Sequence, residues 1–475
     1  MSEAKRLHPA AILFNLIKTV RELFVVIIAG SISFWDNWLI FVPITAGFLI
    51  LFLIIAILTW YRYTYRVENN ELRIEYGILI RKKRFISKNR IQSIDLTSGV
   101  IHRIFGLTKV QIETAGTGTD AEASLSAVKL AEGKALRQEL KTAEPTQNLD
   151  ENAVHESEEA AKPSQTISFK RLFIAGTTSG SVGVIFTLAA AGLSELEQFI
   201  PESAFNSTMN WVIGFGFVIM IVLAVVGLLL LWLLGIAGTM IKNGNFTITK
   251  NDSDLFITRG LLEKKQLTIP LRRIQAVGIQ ESIIRQPLGY VTVFAEIAGG
   301  SMDDKEDFSS TLFPIMKRDE VESFLKTFVP DYAGIQQEPT PLPKRARKFY
   351  VFRASILFVI LTLATGFWIP QFIWVPILLL AGSMGLGIWR HMDGGFRLDG
   401  DHVIIRHRSF SRNTVMMHHK RIQAFEKKQH KIQGSQQLAT MRLSIIGTMG
   451  TGTHFAIKDL EESLTDKLAD WYSRR

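Results

Sequence analysis

The longest uninterrupted run of basic side chains in this sequence is Arg81-Lys82-Lys83-Arg84, which lies between two stretches of alternating apolar and polar residues. Beside a bilayer, each such cation attracts anionic headgroups by roughly 1 kcal/mol. The same side chains could contact a protein partner, or form a solvated turn that only helps to orient the chain at the membrane. The segment is therefore a candidate contact for lipid headgroups or for a partner.

Histidines are concentrated near the end of the chain, at His391, His402, His407, His418, His419, His430 and His454. A metal site needs ligands that converge on one point and are themselves held in place. His402 and His407 are five residues apart, so on a strand they face opposite sides. The chain has no cysteine, which excludes disulfides, thiolate catalysis and cysteine-ligated metals. No nucleophile–base set appears, so we expect no catalytic residue, no metal and no cofactor, and the chain is predicted not to be an enzyme.

A tripeptide that recurs three times shows which unit must position these side chains. Its copies are Arg90-Ile91-Gln92, Arg273-Ile274-Gln275 and Arg421-Ile422-Gln423. Glycines recur at matching distances from it, at Gly77 and Gly260 before the arginine and at Gly106 and Gly289 after it. In the third copy Gln437 replaces the later glycine. Agreement at several offsets indicates that one structural unit was duplicated.

The tripeptide itself is predicted to be a framework element of the repeat. In a strand, the isoleucine points inward while arginine and glutamine face out, and the arginine is expected to pair with a neighbouring strand or backbone carbonyl. The alternative is a partner contact through the arginine and glutamine. The basic segment is only partly retained in the later repeats, as Glu263-Lys264-Lys265 and Arg406-His407-Arg408. This argues against one stereospecific pocket shared by all three repeats.

Each repeat is preceded by a pair of apolar segments. They cover residues 11–34 and 39–60, 172–193 and 211–241, and 352–369 and 371–389. About 20 apolar residues span a bilayer core, so we predict three transmembrane hairpins at 11–60, 170–241 and 352–390. The first span is the weakest because Lys18, Arg21 and Glu22 interrupt it, and its start is also compatible with an interfacial amphipathic stretch.

The charges that flank the spans predict their orientation. The connectors inside the pairs carry no Lys or Arg, whereas the outer flanks are basic, most clearly at Lys344-Arg345-Ala346-Arg347-Lys348. Positively charged flanks favour the cytoplasmic side. We therefore expect a multi-pass cell-membrane protein with both termini and all three modules in the cytoplasm. The net charge of +10 then suits the anionic inner leaflet rather than nucleic acid.

The soluble modules are predicted at 61–141, 242–330 and 391–475. Each begins with short alternating strands joined by turns such as Asn69-Asn70 and Asp399-Gly400-Asp401. Each ends with a helical pattern, over 125–140, 319–328 and 460–472. Strands followed by one terminal helix indicate an α+β module, a small sheet or barrel capped by a helix. An acidic, disordered linker is predicted at 142–165 and an extended, proline-rich and basic one at 331–348.

This organisation resembles a known family. The segments Tyr76-Gly77-Ile78-Leu79, Arg90-Ile91-Gln92-Ser93-Ile94, Arg103-Ile104-Phe105-Gly106-Leu107 and Glu113-Thr114-Ala115-Gly116 are similar to the bacterial pleckstrin-homology-like (PH-like) domain of membrane proteins. The layout as a whole is similar to YdbT-type proteins of Gram-positive bacteria. The resemblance implies PH-like β-barrels with a C-terminal helix, carried on membrane hairpins. It implies no settled activity.

The sequence therefore predicts a scaffold or partner-binding platform at the inner leaflet. The expected partners are the anionic membrane and a protein, either a relative with a single module or a second copy of the chain. The family resemblance makes a role in envelope maintenance or in resistance to membrane-active agents plausible. The alternative function is a lipid-handling protein or a transporter or efflux component that uses the six-helix bundle. That alternative predicts polar residues converging between the spans, of which the sequence shows few.

Overall fold

The computed structural model describes residues 4–33, 38–114, 123–141, 162–179, 216–299, 310–334, 338–447 and 452–474. The chain divides into two compact units. The first comprises residues 1–162, 256–270 and 301–303, and the second comprises 163–255, 271–300 and 304–475.

The first repeat has a short strand, a helical hairpin and a strand-rich module. Its elements are β1 (Lys5–Arg6), α1 (Ala10–Ser33), α2 (Trp38–Arg62), β2 (Thr64–Glu68), β3 (Glu71–Tyr76), β4 (Lys82–Ser87), β5 (Ile91–Ser98), α3 (Val100–Ile104), β6 (Leu107–Thr114), β7 (Ala123–Lys129) and α4 (Leu130–Lys141).

The second repeat has the same order of elements in its described part. They are β8 (Ser164–Thr166), α5 (Phe169–Thr177), α6 (Gly216–Asn243), β9 (Thr247–Asn251), β10 (Asp254–Arg259), β11 (Lys264–Pro270), β12 (Ile274–Glu281), β13 (Tyr290–Ile297), β14 (Ser310–Lys317) and α7 (Val321–Phe328).

The third repeat again follows this order. Its elements are β15 (Thr340–Pro341), α8 (Arg347–Trp368), α9 (Trp374–Asp393), β16 (Gly395–Asp399), β17 (His402–Arg408), β18 (Arg412–His418), β19 (Ile422–Lys428), α10 (Lys431–Gly434), β20 (Leu438–Ile446), β21 (Gly452–Glu461) and α11 (Glu462–Ser473).

The turn between the first two module strands forms where the sequence predicts it. Asn69 and Asn70 both take left-handed backbone conformations, with φ of 51° and 60°. Asparagine tolerates this region, and two such residues in a row make the tight turn that suits the twist of a hairpin. Asp252 and Gly400 mark the equivalent turns with φ of 43° and 55°.

In the first unit, two sheets and a helix enclose the core of the first module. One sheet has the order β1-β2-β3-β4, and the other contains β7-β6-β5-β11-β10. Leu72 from the first sheet, with Ile94 and Leu125 from the second, is fully buried in one cluster, together with Leu140 of α4. The predicted α+β module capped by a helix is present.

In the second unit, the third module has the same construction. Its described sheets run β14-β13-β12-β18-β17-β16-β15 and β19-β20-β21, and β8 pairs with β9. Val403, Leu443 and Leu468 join one buried cluster from β17, β20 and α11. Period-2 burial along the strands and an apolar stripe on the helix explain why these residues meet.

Three boundaries differ from the prediction. The helix predicted over 125–140 begins only at Leu130, because residues up to Lys129 continue strand β7, in which Leu125 and Ala127 face the core. Both predicted linkers also contain a short strand. β8 pairs with β9, and β15 pairs with β16, so each chain segment before a hairpin adds an edge strand to the following module. Residues 142–161 of the acidic linker lie outside the described residues.

Four helices of the described residues are long and apolar enough to cross a membrane. They cover Trp38–Arg62, Ile221–Asn243, Lys344–Trp368 and Trp374–Asp393. Helix α1 is long but holds Lys18, Arg21 and Glu22, and is not among the four. Of the predicted span 172–193, only the part that belongs to α5 and its end is described. The structure therefore supports a membrane protein with at least the third hairpin complete, where Pro370–Phe372 forms the predicted turn.

Candidate functional site: strand edges and hairpin-side loops

The path of the chain decides which loops lie beside the hairpins. Strand β2 begins at Thr64, directly after α2 ends at Arg62. The β2–β3 turn therefore lies at the far end of the sheet, and β3 brings the chain back toward the hairpin. By the same alternation, the β3–β4 and β5–β6 loops lie at the near end, which we call the hairpin side.

Apolar side chains are exposed on the hairpin-side loops of every repeat. In the first repeat Leu79 is 97% exposed and Ile104 is 75% exposed. Other exposed members at these loops are Ile80, Phe105, Leu262, Ile283, Ile284, Leu288, Phe410 and Ile432. Each module therefore exposes apolar tips at equivalent loops, a feature of the kind that marks an interaction site.

One of these tips contacts the end of a membrane-spanning helix. Arg390 lies at the end of α9 and donates from Nε to the carbonyl of Ser409, at 3.0 Å, while its guanidinium lies 6.0 Å from the ring of Phe410. Trp389 is covered by the guanidinium of Arg408 at 4.7 Å. Indole rings favour the membrane–water interface. The Phe410 loop therefore lies at the level where α9 ends.

A second set of contacts ties the β5–β6 loop of the first repeat, and the equivalent loop of the second, to the first helix of the same repeat. His102 stacks on Phe14 of α1, with ring centroids 3.8 Å apart. At the equivalent position, Arg285 donates to the Thr178 hydroxyl at 2.9 Å and to the Ala175 carbonyl at 3.2 Å, both at the end of α5. Burial lowers the pKa of Arg285. No sequence pattern predicted these contacts, because the equivalent positions hold different residue types. In the third repeat the position is Gln433, which donates to Thr440 and Asp459 instead.

The basic segment forms an edge strand rather than a pocket. Its last three residues begin β4, which runs from Lys82 to Ser87. Among the described residues, the only neighbour of β4 in its sheet is β3. Lys82, Lys83 and Arg84 are exposed. Glu75 on β3 neutralises part of the charge, with 2.5 Å to Arg81 and 3.8 Å to Lys83. The four predicted cations are thus a partly compensated basic strip along an open sheet edge.

The counterpart of this strip in the third repeat is not the predicted Arg406-His407-Arg408. Those residues lie on β17, one strand earlier. Counting from the shared tripeptide, Lys264 and Arg412 occupy the place of Arg81. Both belong to strands that are covered by a strand of the preceding repeat.

The repeats are joined through these covered strands in one common register. Strand β11 pairs antiparallel with β5, with Lys264 opposite Ser98 and Lys265 opposite Thr97. Strand β18 pairs with β12 in the same way, with Arg412 opposite Glu281. Lys264 and Arg412 are equivalent positions, and so are Ser98 and Glu281. Each joint therefore repeats the same residue-to-residue alignment.

A buried charge network reinforces the joint between β12 and β18. Asp393, the last residue of α9, pairs with Arg408, whose side chain is 0% exposed, and with Arg412 at 3.4 Å. Arg412 also pairs with Glu281. Gln286 accepts a further hydrogen bond from Arg408. Each buried charge has a partner, so none is left uncompensated. Through Asp393, the network links a spanning helix to the strand joint.

A polar cavity of about 250 Å³ lies beside the same joint. Its lining includes Glu296, His407, Asn413 and Phe455. Burial raises the pKa of Glu296 to about 7 and lowers the pKa of His407. Nδ1 of His407 and Oδ1 of Asn413 have no hydrogen-bond partner among the residues that the structure describes. Such a cavity is large enough for ordered water, which commonly serves buried polar atoms.

The shared tripeptide lies at the turn before the fourth strand of each module. Its arginine ends a 3-10 turn and its isoleucine begins the next strand, with Ile274 and Ile422 buried. Arg273 donates from Nε to the carbonyl of Ala298 at 2.8 Å, as the framework hypothesis predicts. The expectation that arginine and glutamine face out is wrong in the second repeat, where Arg273 and Gln275 are both buried.

For the remaining copies, Arg90 is exposed, Arg421 is half-buried, and Ile91 and Gln92 are half-buried. Gln275 donates to the carbonyl of Arg273 at 3.1 Å, and Gln423 makes the matching bond to Arg421 at 3.5 Å. In the second and third repeats, the glutamine side chain therefore stabilises the turn that precedes it.

The repeated glycines sit at left-handed backbone positions. The values of φ are 108° at Gly77, 104° at Gly260, 63° at Gly106 and 70° at Gly289. At Gly77 a Cβ atom would lie 2.1 Å from the carbonyl oxygen of Ile80, so only glycine fits there.

Gln437 keeps the later turn in the third repeat despite its side chain, with φ of 52°. Its carbonyl accepts from the N–H of Glu462 at 3.0 Å, as Gly106 does from Leu130 at 3.1 Å. Gly289 does the same with Arg318 at 3.0 Å. The turn thus holds the chain at the end of the last strand in all three repeats.

In the described part of the chain, no group of three or more His, Asp or Glu side chains could hold a metal ion. His402 and His418 lie close on paired strands, with ring centroids 4.7 Å apart, but they belong to no such group.

Comparison with known proteins identifies the repeat. Residues 15–144, 186–328 and 356–475 match the model of the bacterial PH domain family. Each matched segment covers most of one predicted hairpin and its module. The chain is also 34% identical over 495 residues to the UPF0699 transmembrane protein YdbT of Bacillus subtilis (strain 168), a match that covers 100% of this chain and 99% of that protein.

Proposed function

The chain belongs to the bacterial PH domain family, and from this premise we propose that it is a non-enzymatic scaffold at the inner leaflet of the cell membrane, where its PH-like modules form a platform for a protein partner. The observation that carries the proposal is the joint between repeats. β5 with β11, and β12 with β18, associate through backbone pairing in one register. A module that binds another module through its strand edge is suited to protein association.

The membrane side of the proposal is supported by the hairpin-side loops. Their exposed apolar tips lie next to the basic strip in the first repeat and next to the end of α9 in the third. Apolar tips with nearby cations favour an anionic lipid surface over water. A platform held in this way suits a role in envelope maintenance or in resistance to membrane-active agents.

The test is purification of the tagged full-length chain from its native membrane in mild detergent, with mass spectrometry of the retained proteins and lipids. An untagged chain processed in parallel identifies background. We expect a protein partner in stoichiometric amount that survives washing at moderate salt. Recovery of a specific lipid without any protein would contradict the scaffold and would favour lipid handling by the hairpins.

A further inference from the structure

The two joints inside the chain pair equivalent strands: the same strand of one module always pairs with the same strand of the next. The accepting edge is the third strand of a module, which is β11 in the second repeat and β18 in the third. The inserted edge is the strand that follows the shared tripeptide, which is β5 in the first repeat and β12 in the second. Among the described residues, one strand of each kind is left at the end of a sheet, namely β4 and β19.

Strand β4 has the properties of its two covered counterparts. It pairs with β3 over six residues, so its backbone is fully extended and its other edge is aligned for pairing. Phe85 on this strand is 55% exposed although it is a large apolar residue. An edge with exposed backbone groups and an exposed aromatic ring can accept a further strand.

Lysines on an edge strand often serve to prevent such pairing. The covered strand β11 shows that lysines on an edge strand do not exclude pairing in this protein. Lys264 and Lys265 of β11 are paired, because the residues opposite them are Ser98 and Thr97. At the other joint, Arg412 is opposite Glu281. Hydroxyl or acidic side chains opposite the cations therefore make the joint possible.

The chain's own free strand β19 lacks this complementarity. In the common register, Lys82 and Lys83 of β4 would lie opposite Lys428 and Lys427 of a second copy. These lysines already have acidic neighbours on their own side, since Lys427 is 2.5 Å from Asp466 and Lys428 is 2.9 Å from Glu426. Like charges directly opposite each other on a sheet are unfavourable. Self-association through these two edges is thus disfavoured.

We propose that β4 is the docking edge for a different polypeptide that carries a PH-like repeat, whose strand after the shared turn adds to β4 in the register of the internal joints. The partner strand has hydroxyl, amide or acidic side chains opposite Arg81 and Lys82, where Ser98 and Thr97, or Glu281 and Gln280, stand in the internal joints. This proposal rests on the proposed scaffold function and names the edge and the partner class.

The test is site-specific photo-crosslinking in the native membrane. Lys83 of the full-length chain is replaced by a benzophenone amino acid, and crosslinked peptides are mapped by mass spectrometry. The matched control carries the same amino acid at Gln266, the equivalent residue of β11, which is opposite Leu96. The control should crosslink to β5 of its own chain, which verifies that the probe reports an added strand.

The expected result at Lys83 is a crosslink to another polypeptide, at the strand that follows its own shared turn. Adding Lys82→Glu should reduce that crosslink at least fivefold, whereas Lys134→Glu on the exposed face of α4 should leave it unchanged. Crosslinks to β19 of a second copy, to lipid only, or to a protein without a PH-like repeat would each overturn the proposal, and so would no crosslink while the Gln266 control reacts. If a partner still co-purifies in those cases, the scaffold function stands and only the docking edge fails.

Discussion

At the scale of single residues, Glu296 has the environment that most affects the pH response of the protein. Its carboxyl group lines the cavity beside the joint of β12 and β18, and burial raises its pKa from the usual value near 4.5 to about 7. The folded state therefore holds this proton while the unfolded chain releases it. Folding stability consequently falls as the pH rises from about 4.5 to about 7, and is constant above that.

We predict that Glu296→Gln removes this loss, which amounts to about 3 kcal/mol for a shift of this size. His407 in the same cavity has a lowered pKa, so its contribution has the opposite sign and remains in the variant. The measurement is the thermal midpoint of detergent-solubilised protein at pH 5 and pH 8. The wild type should lose more stability over this range than the variant. Equal losses would show that Glu296 is solvated in the folded protein.

The repeated glycines were predicted from the sequence, but only the structure explains why glycine is found at each position. Their spacing marked Gly77 and Gly106 as parts of the repeat, and both take positive φ. Only the structure separates their roles, because a Cβ at Gly77 would meet the backbone of Ile80, whereas nothing lies within 4 Å at Gly106. That difference explains why glutamine is tolerated at the position equivalent to Gly106 in the third repeat.

At the scale of elements, the joint of β12 and β18 depends on a network of buried charges that no sequence pattern predicts. Asp393 is the sole residue of α9 in this network, and it serves both Arg408 and Arg412. Removing one partner of a buried pair leaves an uncompensated charge, at a cost of roughly 3–5 kcal/mol.

We predict that Asp393→Asn lowers the thermal midpoint of the third module strongly. Glu426→Gln, which removes an exposed ion pair with Lys428 at 2.9 Å, serves as the control and should change it little. The midpoints are measured in detergent by tryptophan fluorescence, for which Trp389 beside Arg408 is a local reporter. A small effect of Asp393→Asn would mean that water screens the network.

At the scale of the whole molecule, the hairpin-side loops decide how the modules meet the bilayer. The absence of cysteine allows single labels to be introduced without background. Leu79 is almost fully exposed at a loop beside the hairpin, and Asn70 lies at the far turn of the same sheet.

We predict that a polarity-sensitive dye at Leu79→Cys in proteoliposomes emits at shorter wavelength than the same dye at Asn70→Cys. The physical reason is that an apolar tip at the level of a span end enters the lipid interface. Quenchers attached to the lipids should reduce the Leu79 signal selectively. Equal emission from both labels would show that the loops stay in water, and the platform would then be held by its hairpins alone.

The local parts of the fold follow from the sequence for physical reasons. Alternation of apolar residues defines the strands, asparagine and glycine define the turns, and long apolar runs define the helices α2, α6, α8 and α9, because each of these signals depends on near neighbours in the chain. The errors at β8 and β15 have a common cause. Their residues pair with strands far away in the sequence, and two or three residues carry too little periodicity to reveal it. The error at β7 differs, because its strand runs directly into the helix α4.

What only the tertiary structure decided is which strand edges meet. The sequence established three repeats of one module, the tripeptide with its glycines, and the basic segment of the first repeat, and it predicted a membrane hairpin before each module. It did not show that β11 pairs with β5 and β18 with β12, or that β4 has β3 as its only neighbour among the described strands, because the same alternation suits a strand with either neighbour. The burial of Arg273 and Gln275 and the link between Asp393 and Arg408 also depend on residues that approach only after the sheets join.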